Sequence, residues 1–288
     1  MTILCFENPP GRNLCFSNSV VSCLLNIPKL NTIFKNHDID SEYNISVYQE
    51  LSSLAKLKNF YESSTSSLRY MVQSKCFEAG QWTKNFDNNR QHDAGEFMQS
   101  LLEHLINENK LPSHFWDEAF GGLCQNTLTC SCGYTEELQV QQLPEVIPIQ
   151  ISGQCVQSCL DDYFSSEEIV WKCPNCPQLQ VRRTSSLITE PEVLILQLMR
   201  YKYDEAQQKV NKVHSEVIST PNLILKSGTT YSLHSIINHS GENTQSGHYN
   251  LLLFANDGTL LLDDATISYI DFPQEMNKIS YICIYKED

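Results

Sequence analysis

A cysteine near the start of the chain has the sequence context of a nucleophile. Cys15 stands in "GRNLCFSNSVVSCLLNIP", residues 11–28, where the spacing of apolar residues predicts a helix over about 15–27. A helix start offers unpaired N–H groups and partial positive charge, and both favour a thiolate. Asn13 could donate its side-chain amide to an oxyanion on the same turn. The alternative is a small core residue, because free cysteine is among the most often buried residue types.

A general base for this cysteine must come from the eight histidines of the chain. His248 has the most informative context, because it follows a glycine and opens "HYNLLLFANDGTLLLDD", residues 248–264. Alternating apolar residues around a polar turn at 255–258 predict a β-hairpin. One strand of this hairpin begins with an imidazole and the other ends with two carboxylates.

The length of the hairpin turn decides which aspartate faces the histidine. With a four-residue loop, Phe254 faces Thr259 and the count outward places His248 diagonal to Asp263, roughly 7–8 Å away between backbones. A three-residue loop would exchange Asp263 for Asp264. We expect Asp263 to be the partner, although an ordinary amphipathic hairpin ending in a charged turn would show the same pattern.

Acidic residues begin another predicted helix in "RQHDAGEFMQSLLEHL", residues 90–105. Asp93 followed by Glu96 is the pattern of a capping box, and the apolar spacing extends the helix to about Asn107. The same two acids could also hold a basic extended peptide at the helix start.

Two close cysteine pairs have the spacing of a metal site. Thiolates from two short loops are the ligands that tetrahedral zinc takes in a structural site, and a closed set of four leaves no open position for catalysis. The predicted ligands are Cys130, Cys132, Cys173 and Cys176. Other cysteines could replace members of the first pair: Cys124, Cys155 or Cys159.

The remaining elements fall into a helical part and a strand-rich part. A further helix is predicted over residues 47–58, a Ser/Thr-rich loop at 63–67, and a helix stop at Pro28. Strands are predicted to start near residues 193, 231, 248, 259 and 280. The order predicts an α+β protein with a helical lobe, a cysteine-bearing β segment and a β lobe, packed as one unit.

Composition bounds the class of protein and its partners. The 288 residues are 41% hydrophobic and 19% charged, which is ordinary for a soluble globular protein. A net charge of -14 opposes binding to nucleic acid or anionic membrane and favours a basic partner. The sequence shows no secretory signal or spanning segment, so we expect a cytoplasmic or nuclear protein, in which cysteines serve as metal ligands or nucleophile rather than disulfides.

Five motifs together resemble the ubiquitin-specific protease family. In order they are "RNLCFSNS", "QHDAGEF", the two cysteine pairs, "LILQLMRYKYD" and "SGHYNLLL…LLLDD". The resemblance covers the chain from about residue 8 to its end. It implies one papain-like catalytic domain, with a helical thumb over 1–115, zinc-bearing β fingers over 116–190 and a β-sheet palm over 191–288.

The resemblance also implies an activity, thiol-dependent hydrolysis of the bond after the C-terminal glycine of ubiquitin. In the family, the residue matching Cys15 is the nucleophile, that matching His248 the base and that matching Asp263 the group that orients the imidazole. The residue matching Asn13 helps hold the oxyanion. Asp264 stays an alternative third member, and the four cysteines are expected to bind structural zinc.

Residues around this site are implied to bind the tail of ubiquitin. The acids matching Asp93 and Glu96 grip its basic residues, and Tyr201 and Tyr249 resemble parts of a narrow channel that admits a Gly-Gly tail. Gln91 and Gly247 are further expected substrate-binding residues. The expected partners are ubiquitin, polyubiquitin chains and ubiquitinated proteins, with the chain itself a monomer.

Three departures from the family pattern bear on rate and substrate choice. Arg12 and Leu14 replace the usual Gly and Thr before the cysteine, Gly95 stands where Gln is common, and the first cysteine pair is one residue shorter. A protease for SUMO or another ubiquitin-like modifier, or a catalytically silent ubiquitin-binding scaffold, are therefore the alternative functions.

Overall fold

A computed structural model of the chain describes residues 3–4, 6–36, 47–57, 86, 90–108, 113–206, 208–243, 246–255, 258–271 and 277–288. The described helices are α1 (Cys15–Asn26), α2 (Pro28–Asn36), α3 (Val47–Leu57), α4 (Ala94–Asn107), α5 (Ser113–Phe120) and α6 (Val156–Tyr163). The first strands are β1 (Leu123–Thr129), β2 (Thr135–Glu137), β3 (Gln141–Gln142), β4 (Val146–Ile149), β5 (Glu167–Val170), β6 (Gln180–Thr189) and β7 (Val193–Leu198). The later strands are β8 (Tyr201–Asp204), β9 (Lys209–Lys212), β10 (Asn222–Ile224), β11 (Thr230–Asn243), β12 (Ser246–Ala255), β13 (Gly258–Asp263), β14 (Thr266–Ile270) and β15 (Ser280–Glu287).

Helix α1 begins at Cys15 and is buried along its whole length. Its polar residues are enclosed as well as its apolar ones, because the protein supplies their hydrogen-bond partners. Ser17 Oγ donates to the carbonyl of Leu14 at 3.0 Å, and Asn26 Nδ2 donates to that of Ser22 at 2.7 Å. The helix predicted over about 15–27 is thus confirmed as α1.

Pro28 ends one helix and starts another. Helix α1 ends at Asn26 as predicted, but Pro28 then opens α2, a position where its missing N–H costs nothing. Helices α2, α5 and α6 were not predicted. The predicted helix over 47–58 is confirmed as α3 to Leu57, whereas residue 58 and the expected loop at 63–67 lie outside the described residues.

A large sheet of eight strands positions the C-terminal motifs. Its order is β14-β13-β12-β11-β15-β7-β4, with β10 beside β11. All its pairs are antiparallel except β4 with β7. Leu251 and Leu253 on β12 face the core shared with α1 and α4, whereas Leu252 faces a second core that contains α6 residues. The sheet is therefore covered on both faces. Five of its strands were predicted from the sequence and three were not; the unpredicted ones are β4, β10 and β14.

A smaller sheet, in the order β2-β1-β6-β5 with β3 beside β1, carries the cysteine pairs near one end. Its small core contains Leu128 and Val181 together with Cys130 and Cys173. The predicted boundaries at 115 and 190 are only approximate, because β4 and α6 lie within the expected fingers and yet join the large sheet and its core. In the described part of the chain, no helix has the length and apolar character needed to cross a membrane.

Candidate active site

The sulfur of Cys15 lies at the positive end of α1. The N-cap residue, Leu14, has no side chain that could bond the first-turn N–H groups, so the end of the helix dipole stays directed at this position. Gln91 Nε2 lies 3.6 Å from Cys15 Sγ and also donates to the carbonyl of Gly247. Gln91, expected to contact substrate, therefore joins the segment before α4 to the nucleophile and to the strand that carries the histidine.

His248 bonds Asp263, and Cys15 affects the pKa of His248. Its Nε2 is 2.5 Å from Asp263 Oδ1, which leaves Nδ1 as the ring nitrogen available to the sulfur. A hydrogen bond with Cys15 raises the pKa of His248 to about 9 against the opposing effect of burial, and the Asp263 carboxylate adds to the rise. The three predicted residues thus form one connected group.

The register of the hairpin explains why Asp263 is the partner. Phe254 faces Thr259 as counted from the sequence, and one further pair, Ala255 with Gly258, shortens the loop to two residues without changing the register. The predicted four-residue loop was wrong in length, but the face on which Asp263 lies was correct, because adding one pair shifts no side chain to the other face.

Asp264 has a structural role, which the sequence did not show. Its φ is 50°, and one of its carboxylate oxygens lies within 4.8 Å of an imidazole nitrogen of His248, but its hydrogen bonds are made to other residues. Its Oδ1 accepts from Asn18 Nδ2 at 2.5 Å and its Oδ2 from Asn8 Nδ2 at 3.0 Å. Asn8 Oδ1 in turn accepts the N–H of Leu14 at 3.0 Å. Asp264 therefore fixes the segment before the cysteine against α1, and it is not the partner of His248.

Asn13 precedes the helix rather than sharing its first turn. It is half-buried and adopts a φ of 51°, in the left-handed region that non-glycine residues rarely occupy. Helix α1 starts at Cys15, so Asn13 lies two residues before it, and the expected role of its amide at the oxyanion stays a prediction. The side-chain amide that lies beside the sulfur belongs to Gln91.

The two acids at the start of α4 differ in exposure. Asp93 is 8% exposed and caps the helix, accepting the N–H groups of Gly95 and Glu96 at 2.7 and 3.1 Å. Its other oxygen accepts the hydroxyl of Tyr281 at 2.6 Å. Burial raises the pKa of Asp93, and these hydrogen bonds oppose the rise. Glu96 is exposed, so it is the acid of this pair that is open to a ligand.

The predicted channel aromatics lie at different depths. Tyr249 is fully buried, so the expectation that it lines an open channel is wrong; its ring packs on His239 with centroids 4.4 Å apart. Tyr201 is half-buried, and its hydroxyl lies within hydrogen-bond distance of His239 Nδ1, at 2.7 Å. Gly247 lies directly against this histidine, because a Cβ there would be 2.5 Å from His239 Nε2. Sequence reasoning missed His239, one of several similar histidines with no spacing signal.

The four predicted cysteines meet at one end of the small sheet. Their sulfurs lie within 4.8 Å of one another, with Cys130 and Cys176 3.6 Å apart and Cys132 and Cys173 3.7 Å apart. A tetrahedral zinc with Zn–S bonds of about 2.3 Å separates its sulfurs by roughly 3.8 Å, so the set fits this ion. The other candidates in the first pair are excluded, since Cys124, Cys155 and Cys159 lie outside the cluster.

The sequence profile described as ubiquitin carboxyl-terminal hydrolase matches residues 10–285. The chain belongs to this family. Among curated members, it is 24% identical to the probable ubiquitin carboxyl-terminal hydrolase 8 of Schizosaccharomyces pombe, over 98% of this chain and 60% of that protein. It is 26% identical to the ubiquitin carboxyl-terminal hydrolase 17-like protein A of Mus musculus, over 98% of this chain and 58% of that protein. The chain thus spans about 60% of the length of these two relatives.

Solved structures show the same fold for this hydrolase-family chain. The SAGA Ubp8/Sgf11/Sus1/Sgf73 DUB module bound to ubiquitin aldehyde superposes with a TM-score of 0.82 at 18% identity, over 99% of this chain and 69% of the matched chain. A structure of that module bound to monoubiquitin gives the same values. The chain therefore has the α+β fold of the ubiquitin-specific proteases, as the sequence motifs predicted.

Proposed function

We propose that the chain is a deubiquitinase that hydrolyses the isopeptide or peptide bond after the C-terminal glycine of ubiquitin. The observation that carries this proposal is the connected Cys15, His248 and Asp263 group at the positive end of α1. A scaffold that only binds ubiquitin has no need of a nucleophile, a base and an orienting carboxylate in contact. Membership of the hydrolase family supports the substrate class.

The geometry gives each residue a step in the reaction. The Cys15 thiolate forms a bond to the carbonyl carbon, and Nδ1 of the His248 imidazolium protonates the departing amine as the C–N bond breaks. Water then attacks the thioester with His248 as base and releases the carboxylate product and the thiolate. Asp263 holds Nε2 and thereby fixes the tautomer throughout.

Donors for the tetrahedral oxyanion come from the start of α1. We assign this role to the backbone N–H groups of the first turn and to the side-chain amide of Asn13, with Gln91 Nε2 as a further donor because it already lies 3.6 Å from Cys15 Sγ. Asp264 holds this segment in place through Asn8 and Asn18 and takes no part in proton transfer.

The acidic protein suits a basic ligand. The net charge of -14 and the exposed Glu96 support ubiquitin, through its basic tail, as the partner. Glu96 also lies next to Asp93 and burial raises the pKa of Glu96, an effect that a nearby arginine would reverse. The four-cysteine cluster would hold a structural zinc that fixes the small sheet, with no part in the chemistry.

A panel of activated modifiers tests the proposal. The purified chain is reacted with ubiquitin, SUMO and other modifiers that carry an electrophile in place of the C-terminal carboxylate, beside a Cys15→Ala control. We expect a covalent adduct with ubiquitin that the control cannot form, together with hydrolysis of a fluorogenic ubiquitin amide. An adduct with SUMO alone would overturn the substrate class, and no adduct with any modifier would favour a scaffold.

A further inference from the structure

Gly95 lies in the first turn of α4, beside the acids Asp93 and Glu96. The space that a side chain on Gly95 would occupy is filled by Gln197 of β7. A Cβ on Gly95 would lie 2.6 Å from Cδ and 2.8 Å from Oε1 of Gln197, and closer still to Nε2. Real Cβ atoms do not approach other atoms that closely. Gly95 does not have a positive φ, so the backbone conformation does not require glycine; a Cβ here would instead displace the Gln197 amide, which is the end of a flexible side chain.

The amide of Gln197 begins a chain of hydrogen bonds that ends at the helix cap. Gln197 Nε2 donates to the Tyr281 hydroxyl at 2.7 Å, and this hydroxyl donates to Asp93 Oδ2 at 2.6 Å. Asp93 Oδ1 receives the N–H groups of Gly95 and Glu96. Strands β7 and β15 of the large sheet are thus connected, through two side chains, to the first turn of α4.

Two members of this chain of hydrogen bonds, Tyr281 and Asp93, are buried, so the loss of one of their bonds costs free energy. Tyr281 is 3% and Asp93 8% exposed, so water cannot readily replace a lost partner. Tyr281 has one hydroxyl proton, which it gives to Asp93, and Gln197 supplies the donor that this hydroxyl accepts. Removal of the Gln197 amide would free the hydroxyl to rotate and would leave the Asp93 carboxylate less firmly held.

We propose that Gln197 is a positioning residue for modifier recognition: its amide fills the space above Gly95 and, through Tyr281, orients Asp93 and the turn that presents Glu96 to the basic tail of ubiquitin. The proposal rests on the proposed function. The absence of a side chain on Gly95 leaves room for this amide, which reaches the helix start from β7. Gly95 and Gln197 therefore form a matched pair.

The contact between Gly95 and Gln197 predicts that a substitution at Gln197 weakens substrate binding and leaves the rate of catalysis nearly unchanged. Gln197→Met keeps the volume and removes the donor, so we expect KM for a fluorogenic ubiquitin amide to rise about fivefold, as for one net hydrogen bond lost, with kcat within about twofold. Replacing the tail arginines of ubiquitin by glutamine should raise KM less for Gln197→Met than for the unaltered chain. Gln157→Met, on α6, is the matched control and should change neither value.

The close contact between Gly95 and Gln197 allows a second test, in which the substitution at Gly95 is made with and without the Gln197 side chain. Gly95→Ala should lower the melting temperature and raise KM, whereas the same change in a Gln197→Ala background should cost much less, because the space above the glycine is then empty. The rate at which a small alkylating agent modifies Cys15 should be equal in all variants, which shows that the nucleophile is undisturbed.

The outcomes separate this inference from the proposed function. If the unaltered chain does not cleave the ubiquitin amide, the proposed function is wrong and the inference falls with it. If the unaltered chain cleaves it and Gln197→Met has the same KM, or the Gly95 and Gln197 effects simply add, only the inference is wrong. Equal losses of kcat and alkylation rate in Gln197→Met would show a general structural role and would also overturn it.

Discussion

Replacing Asp263 by asparagine is the most informative perturbation of the catalytic group. The change keeps an oxygen that can accept the Nε2–H of His248, which now lies 2.5 Å from Asp263 Oδ1, but it removes the negative charge. The orientation of the ring should therefore survive, while the imidazolium loses part of what stabilises it. The effect on orientation and the effect on charge can thus be measured separately.

The pKa of His248 limits how far the pH profile can move in Asp263→Asn. The Cys15 contact and then Asp263 raise the pKa of His248 from 6.5 to about 9, with Cys15 the larger cause. The alkaline limb of kcat/KM should therefore fall near pH 9 in the unaltered chain, where the imidazolium loses its proton. In Asp263→Asn the limb should move below 9 and yet remain above 6.5, because the Cys15 contact persists.

The rate at the pH optimum should separate two substitutions at this position. Asp263→Ala removes the acceptor as well as the charge. Its rate at the pH optimum should therefore fall by about 10²–10⁴-fold, the contribution typical of general acid–base catalysis. Asp263→Asn should lose less than about 10²-fold, because the ring is still oriented. Hydrolysis of a fluorogenic ubiquitin amide between pH 5 and pH 10, roughly the range that brackets both limits, measures both effects.

The neighbouring aspartate is the matched control for this experiment. Asp264→Asn makes the same chemical change one residue away, but Asp264 bonds Asn8 and Asn18 and not the imidazole. It should lower stability by about 1 kcal/mol through one lost hydrogen bond and leave the alkaline limb near pH 9. An unmoved limb in Asp263→Asn, or the same movement in both variants, would refute the assignment of Asp263.

Three further outcomes are expected. Gly247→Ala, whose Cβ would lie 2.5 Å from a buried imidazole nitrogen at a φ of 150°, should reduce kcat/KM by at least about tenfold, measured with the same amide substrate. Cys173→Ser should abolish binding of one zinc per chain by metal analysis and lower the melting temperature, whereas Cys155→Ser, outside the cluster, should retain the metal. Because the folded-state pKa of His248 is raised from 6.5 to about 9, its contribution to stability is complete below pH 6.5 and is lost as pH rises through 9; denaturant unfolding should show this decline, and show less of it in Cys15→Ala.

Local patterns in the sequence were sufficient to predict the hairpin that carries the base. Side chains on a strand alternate with a period of two, so the pairing of Phe254 with Thr259 placed His248 and Asp263 on one face even though the loop length was wrong. The cap of α4 was equally local, because Asp93 bonds N–H groups only two and three residues away. Signals of this range need no knowledge of the rest of the fold.

Contacts between distant segments could not be derived in this way. Asp264 and Asn18 are separated by 246 positions, and no spacing rule joins them. Nothing in the local pattern of α1 shows that a carboxylate near the other end of the sequence will accept a hydrogen bond from one of its polar side chains. Tyr249 was misplaced for a related reason, because period-two alternation fixes the face of a strand but not what covers that face.

The same limit explains why the surroundings of Gly95 could not be predicted from the sequence alone. In a helix, glycine lowers intrinsic stability by about 1 kcal/mol relative to alanine, so its presence near the start of α4 indicated a looser turn. In the folded protein, the space that it leaves is filled by the Gln197 amide, which is connected through Tyr281 to the residue that caps that turn. The local cost is thus set against a tertiary contact that the missing side chain of Gly95 accommodates. A residue that weakens a helix in isolation can hold the same helix more firmly within the fold.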